Sequence, residues 1–408
     1  MKVNQVNTII NSLVTQMLGT EDVTPTDLTN VIQLGHDKLA DTEWSSTTLN
    51  NLVDRIGKTI ISQRQYTGVD PLILSDAFTF GAILQKIYIE PMKAEESKVW
   101  GQVEGTSVDP YVIKSPEVKQ ILFNGFNTWQ MTVTIKDEQW YGAWTSSEAM
   151  AAFIDGIFTV MQTSLELQLE SIANMAYANF IGEKLADAEG YKSGTASAPV
   201  EHAAHNPVQV INLLKEYNTK TSKTLTKDTA YFDADFLKYA SMRINTMLKR
   251  MSKMSTMFNC KDYQRHTPVE YCRVTVLSDF ANAVQYNLQS DIYNKELVSL
   301  PNYREVQYWQ GSGTDYNTED TSLIEITTAS GKVINQNGVV ALLNDIEAIA
   351  LNHEMKTTES QRNGRGHYTN YFPSVDIGYI NDISENGIVF LIADEIAPIY
   401  TSDYDANS

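Results

Sequence analysis

Apolar residues recur at three- and four-residue steps over residues 147–184, the stretch around which the chain is organised. Met150, Phe153, Ile154, Ile157, Met161, Leu165, Ile172 and Met175 share one face of a helix at that spacing. Thr145 stands three residues before Glu148, the sequence of a capping box, and Lys184 suits the negative pole of the helix dipole. No proline interrupts the run, and Gly156 weakens it slightly. At 1.5 Å per residue the pattern predicts a rod of roughly 55–60 Å. Asp155, Glu166, Gln168 and Glu170 punctuate the apolar positions, which excludes a membrane span.

Upstream, the pattern predicts three helical stretches. Val6, Ile9, Ile10, Leu13, Val14 and Met17 form a stripe that stops at Gly19, and Pro25 opens a second short helix. Leu49, Leu52, Val53, Ile56 and Ile60 mark the third. The first two are too small to bury their own apolar faces and need a partner surface. From Pro71 the character changes. Ile83, Ile87 and Ile89 belong to a β-prone run, broken by Pro91 and followed by charges. A Gly/Ser/Thr/Pro patch over residues 101–110 reads as an exposed tip. The chain returns through residues 118–123 into a strand at 130–136, where Met131, Val133 and Ile135 alternate with polar residues. A two-stranded excursion of about 60 residues with so little core is marginal alone, and another copy of the chain is the expected support.

Downstream of the long helix, residues 190–207 read as a small-residue loop, followed by helices over 207–218 and 234–251. A strand at 273–277 runs into Ser278-Asp279, an N-cap, and this strand-then-helix order suggests an α/β region. Turns and short strands span 306–334, and helix or strand spans 339–350. Asn363-Gly364 is a hairpin-turn signal, and residues 387–392 form a last apolar strand.

Composition narrows the function. A chain of 408 residues with 42% hydrophobic residues has ample material for a core. Its formal charge of −19 argues against phosphate-backbone binding or docking on anionic membranes. Two cysteines, Cys260 and Cys272, fit a reducing compartment. Candidate chemistry is thin. His202 and His205 beside Glu201 offer a weak metal motif with no third ligand at a marked spacing. His36, His266, His353 and His367 form no recognisable set, and there is no phosphate-cradling loop or nucleophile elbow. Neither a metal nor a cofactor is expected. Arg362 and Arg365, with Tyr368 and Tyr371, resemble a nucleic-acid patch, but in so acidic a chain they read as a turn contacting carboxylates.

The order of elements then carries more than any motif: detachable arm, long hairpin, strand, long helix, α/β region and a return to β-structure. In this order the chain resembles the major capsid protein of tailed bacteriophages. Leu52-Val-Asp-Arg-Ile-Gly57, and Arg362-Asn363 with Arg365-Gly366, Tyr368 and Asn370-Tyr371, are similar to segments of the small short-tailed, protein-primed phages. The resemblance implies an α+β tailed-phage major capsid fold. It places an N-terminal arm at 1–70, an extended E-loop at 71–130, and a P domain with a spine helix at 131–205. An A domain follows at 206–350, and a P-domain return with the C-terminal tail at 351–408. It implies a structural protein and no enzyme, tiling an icosahedral shell around double-stranded DNA. The implied partners are other copies, in hexamers and pentamers, with scaffolding, portal and head-fibre proteins. Packaged DNA is expected to make only weak, non-specific contact, and no membrane is involved. The implied location is the virion, with assembly in the host cytoplasm. Lys93, Glu95, Glu96, Lys98, Trp100, Tyr111, Arg362 and Arg365 are the candidate intersubunit contacts. An encapsulin-type nanocompartment shell and, remotely, a soluble hydrolase are the alternatives.

Overall fold

The computed structural model describes residues 84–92, 103–105, 109, 111, 113, 115–123, 126–143, 145, 147–195, 198–288, 303–310 and 320–404. The three helices expected between residues 1 and 70 lie outside these residues. So do the candidate contacts Lys93, Glu95, Glu96, Lys98 and Trp100.

Four strands come first: β1 (Leu84–Ile89), β2 (Val118–Phe123), β3 (Phe126–Gln130) and β4 (Val133–Lys136). β4 lies within the strand expected at 130–136, and β3, which ends at Gln130, extends the pairing upstream of it. Both pair with the same later strand in one register, and the break falls opposite Pro373. Met131 N–H still donates to the Pro373 carbonyl at 3.1 Å, but proline has no N–H to return.

A short helix α1 (Asp137–Ala143) leads into α2 (Ser147–Glu189), 43 residues long. At 1.5 Å per residue α2 is a rod of about 65 Å, and it stops where Gly190 takes the left-handed conformation (φ 78). A side chain at Gly190 would come within 2.3 Å of the His202 carbonyl, so both the turn and the packing need glycine. Met150, Ile154, Ile157, Met161, Leu165 and Ile172 are buried along one face, as their spacing predicts. Met175 departs from the pattern and stays 41% exposed. The Thr145 hydroxyl donates to the Gly142 carbonyl at 2.7 Å, which ties it to the end of α1.

In place of the expected small-residue loop, β5 (Tyr191–Thr195) and β6 (Ala198–His202) form a hairpin. The helix expected over 207–218 divides into a 3₁₀ turn (Pro207–Gln209), the strand β7 (Val210–Asn212) and the helix α3 (Leu213–Thr221). Asn212 caps α3 by accepting from the Lys215 amide. A short α4 (Lys227–Ala230) precedes α5 (Ala234–Met251), which Asp233 caps in the same way and which matches its predicted span. Then follow β8 (Cys272–Leu277), α6 (Ser278–Leu288), β9 (Tyr303–Val306), β10 (Ile324–Thr327), β11 (Lys332–Gln336) and β12 (Val339–Asp345). The long hairpin of β13 (Ile349–Asn363) and β14 (Tyr368–Asn381), then β15 (Gly387–Leu391) and β16 (Tyr400–Thr401), complete the described chain.

The strands assemble around α2. A five-stranded mixed sheet runs β7-β15-β12-β8-β9, with β8–β9 and β7–β15 parallel. Side chains alternate across it, as strand geometry requires. Leu342, Val389 and Leu391 join Phe180, Ile181 and Leu185 of α2 in one core. Leu343, Ile388 and Phe390 join Leu214 of α3, Phe236 and Leu248 of α5 and Phe280 of α6 in a second. The four-stranded sheet of β13, β14, β3 and β4 adds Leu351, Val375 and Ile377 to the first core. The chain segment 351–408 is therefore shared: β13 and β14 run along α2, while β15 lies inside the five-stranded sheet.

Candidate intersubunit surfaces

β1 and β2 pair antiparallel from Leu84 opposite Phe123 to Ile89 opposite Val118. Period two sends Lys86 and Tyr88 to one face and Ile87 and Ile89 to the other. The isoleucine face is the outer one. Ile87 and Ile89 are each 58% exposed, Val118 57% and Leu122 54%. Ile89 and Val118 lie directly opposite, an apolar cross-strand pair turned away from the subunit.

The inner face is charged and aromatic. Lys86 Nζ lies 2.5 Å from Glu385 Oε1, 3.2 Å from Asp382 Oδ2 and 3.2 Å from Glu347 Oε2. Burial alone would lower the Lys86 pKa, but the carboxylates of Glu385 and Asp382 outweigh it and raise it. Lys86 is therefore held as a cation. Arg265 donates to the same Glu385 carboxylate through Nη1. The Tyr88 ring stacks on Tyr263 at 4.9 Å, and its hydroxyl donates to the Gln264 carbonyl at 2.6 Å. Arg265 sits 4.9 Å over the Tyr88 ring, and Lys119 of β2 sits 4.6 Å over Tyr263. The stem is clamped to its own subunit on one side and more than half exposed on the other.

Of the candidates near the tip, Tyr111 is described and is 86% exposed, and its N–H donates to Asp109 Oδ1 at 2.9 Å. Arg362 stands near the end of β13, and Arg365 lies within the β13–β14 turn. Arg362 Nη2 donates to Asp137 Oδ2 at 3.0 Å, a turn arginine on a carboxylate. The turn is longer than Asn-Gly predicts. Asn363 Oδ1 accepts from the amides of Arg365 and Gly366, which folds residues 364–367 into a four-residue loop with His367 at φ 50.

The groups considered for chemistry are engaged structurally. His202 stacks on Tyr191 at 4.2 Å and bonds Ser193 Oγ at 3.0 Å. His205 lies instead between Asp262, at 2.8 Å, and Asp187, at 3.3 Å. Partial burial would lower the His205 pKa, but its hydrogen bonds to Asp262 and Asp187 prevail and raise it. Among the described residues, no group of three or more His, Cys, Asp or Glu is placed to hold a metal ion. Cys260 and Cys272 are free thiols, and burial pushes Cys272 up to about 12, far from a reactive thiolate.

Sequence reasoning missed the anchoring residues. Lys86, Arg265 and Glu385 carry no motif, although the alternation of Lys86 and Tyr88 with Ile87 and Ile89 signals a two-faced strand. Lys184, read as a dipole partner, is fully buried, and its Nζ donates to the carbonyls of Phe258, Ile383 and Glu385 at 3.0–3.3 Å.

Comparison with known proteins places this architecture. A family model described as Phi29-like phage major capsid protein matches residues 6–391. A comparison with curated protein sequences finds no match. In the capsid structure of Staphylococcus phage Andhra a chain shares the fold at a TM-score of 0.51. Identity with it is 10%, over 80% of this chain and 85% of that one. A chain in the structure of the head fibre and inner core protein of bacteriophage P68 aligns at 0.49 and 8% identity, over 78% and 83%. One from the capsid of cyanophage P-SCSP1u aligns at 0.43 and 11%, over 79% and 87%. With nearly the whole sequence matched by the family and the fold shared with a phage capsid, the chain belongs to the Phi29-like phage major capsid protein family.

Proposed function

We propose that this capsid shell protein joins its neighbours through the β1–β2 hairpin, laid as an E-loop over an adjacent copy. The observation that carries this reading is the outward face of Ile87, Ile89, Val118 and Leu122, left open while the inner face is filled. Covering such a face stabilises by about 25 cal/mol per Å² of apolar area, a gain the isolated subunit forgoes. Residues 1–70 serve as the N-arm and 71–130 as the E-loop. Residues 131–205 form the P domain with α2 as its spine, and 206–350 the A domain. Residues 351–408 return to the P domain and lend β15 to the A-domain sheet. Copies gather as hexamers and pentamers into a shell around double-stranded DNA. Assembly takes place in the host cytoplasm, where scaffolding, portal and head-fibre proteins are the further partners. Lys93, Glu95, Glu96, Lys98, Trp100, Tyr111, Arg362 and Arg365 are proposed contacts at the rims, where each ion pair contributes about 0–1 kcal/mol. Nothing in the family match favours a nanocompartment or a hydrolase.

Replacing residues 100–111 by a short Gly-Ser link tests the arrangement. The shortened subunit is expected to keep its melting profile and to lose closed particles under the electron microscope. Normal shells from it would remove the tip from the interface. Loss of folding would place the hairpin in the subunit core.

A further inference from the structure

The hairpin's open face and its anchored face belong to the same two strands, so whatever fixes the anchored face also aims the open one. Glu385, in the β14–β15 loop, occupies the centre of that anchor. Its side chain is 5% exposed and receives Lys86 from β1 and Arg265 from the loop after α5. Its backbone carbonyl accepts from Lys184 of α2 at 3.0 Å. Three segments far apart in sequence meet at one residue.

The loop that carries Glu385 is itself held in place. The Asp382 carboxylate accepts from the amide and hydroxyl of Ser384, Cys260 N–H donates to the Ile383 carbonyl, and Gly387 N–H donates to the Phe258 carbonyl. Lys86 also faces Asp382 and Glu347, but these are not equivalent partners. Glu347 is 67% exposed, so solvent screens it, and Asp382, though as buried as Glu385, lies farther from Lys86, at 3.2 Å against 2.5 Å. Glu385 bridges two cations in a place nearly closed to water, where charge attraction is least screened. Arg265, which it holds, lies over both rings of the Tyr88–Tyr263 stack.

We infer that Glu385 is the positioning residue of the hairpin: it fixes the angle at which β1–β2 leaves the subunit, and with it the curvature at which copies meet. The curvature role rests on the hairpin being an intersubunit arm. The anchoring role does not.

Hydrogen exchange read by mass spectrometry on the full-length dissociated subunit separates the two. Glu385→Gln and Lys86→Met should each speed exchange in Leu84–Ile89 and Val118–Phe123 by about tenfold, while β12 and β15 keep wild-type rates. The double variant should exchange no faster than Glu385→Gln alone, because both changes break one linkage. Should Glu385→Gln fail to fold, Lys86→Met carries the test by itself, since Arg265 still neutralises Glu385. Wild-type exchange in the stem of Lys86→Met overturns the anchor. Electron microscopy of particles from the same variants gives the second readout, with shells of irregular size and curvature expected. A loosened stem with uniform wild-type shells would keep the anchor but overturn the curvature role and the intersubunit reading beneath it.

Discussion

Lys184 illustrates how far a residue's surroundings can depart from its sequence context. Near the end of an amphipathic run it reads as a cation suited to the negative pole of the helix dipole. In the fold it is fully buried, with three backbone carbonyls positioned for the three hydrogens of an ammonium. Those carbonyls belong to segments some 75 to 200 positions away, which no local pattern exposes. Lys184→Met should destabilise the dissociated subunit by about 2–4 kcal/mol in urea unfolding, since it leaves buried carbonyls without donors. An unchanged midpoint would mean that they find other partners. His205 offers a pH test. Its folded pKa is raised above the ordinary 6.5, so its pairing with Asp262 and Asp187 is fully present below that value. The contribution is lost as pH rises through the folded pKa. His205→Gln should therefore lower the melting temperature more at about pH 5.5 than at about pH 8.5. The effect is small, because the ring is half exposed and screened. Equal shifts at both pH values would contradict the pairing.

At the scale of elements, strong periodicity was legible and tertiary pairing was not. The long helix and α5 show their period in the sequence, and the strand-then-helix order of β8 and α6 was legible, although Ser278 is the first residue of α6 and its hydroxyl donates to the Val306 carbonyl. β7 does not, because three residues become a strand only through parallel pairing with β15. The β5–β6 hairpin was masked by its Ser, Gly, Ala and Pro content and is held by its own Tyr191–His202 cross-strand stack and by the pairing of β5 with β16. The far half of α2 is buried on nearly all sides because three sheets close on it, the five-stranded and four-stranded ones above and the sheet that pairs β10 with β11, and its alanines and Gly182 admit their approach. A Cβ at Gly182 would lie 2.9 Å from Thr328 Cγ2. Ala173→Pro in this half should cost about 3 kcal/mol or more, through a lost backbone hydrogen bond and a clash with the preceding turn. Circular dichroism checks it: a soluble variant with full helical signal and cooperative melting would contradict a continuous spine.

The whole molecule joins a well-packed body to an arm that faces outward. The order of elements carried the family in the sequence, whereas the face proposed to meet another copy did not show, because the same isoleucine run suits either side of a strand until its anchor is known. The charge of −19 belongs to this scale as well. At about 150–200 mM salt the dissociated subunit should retain DNA weakly and without sequence preference, and tight specific retention in a mobility-shift assay would contradict a wall that leaves packed DNA free. The central claim, a shell subunit whose hairpin bridges copies, is tested most directly by cryo-electron microscopy of particles formed by the full-length chain. The account predicts closed shells in which each β1–β2 hairpin overlies an adjacent copy, with Ile87, Ile89, Val118 and Leu122 buried in the contact. Closed shells in which that face remains open to solvent would contradict it.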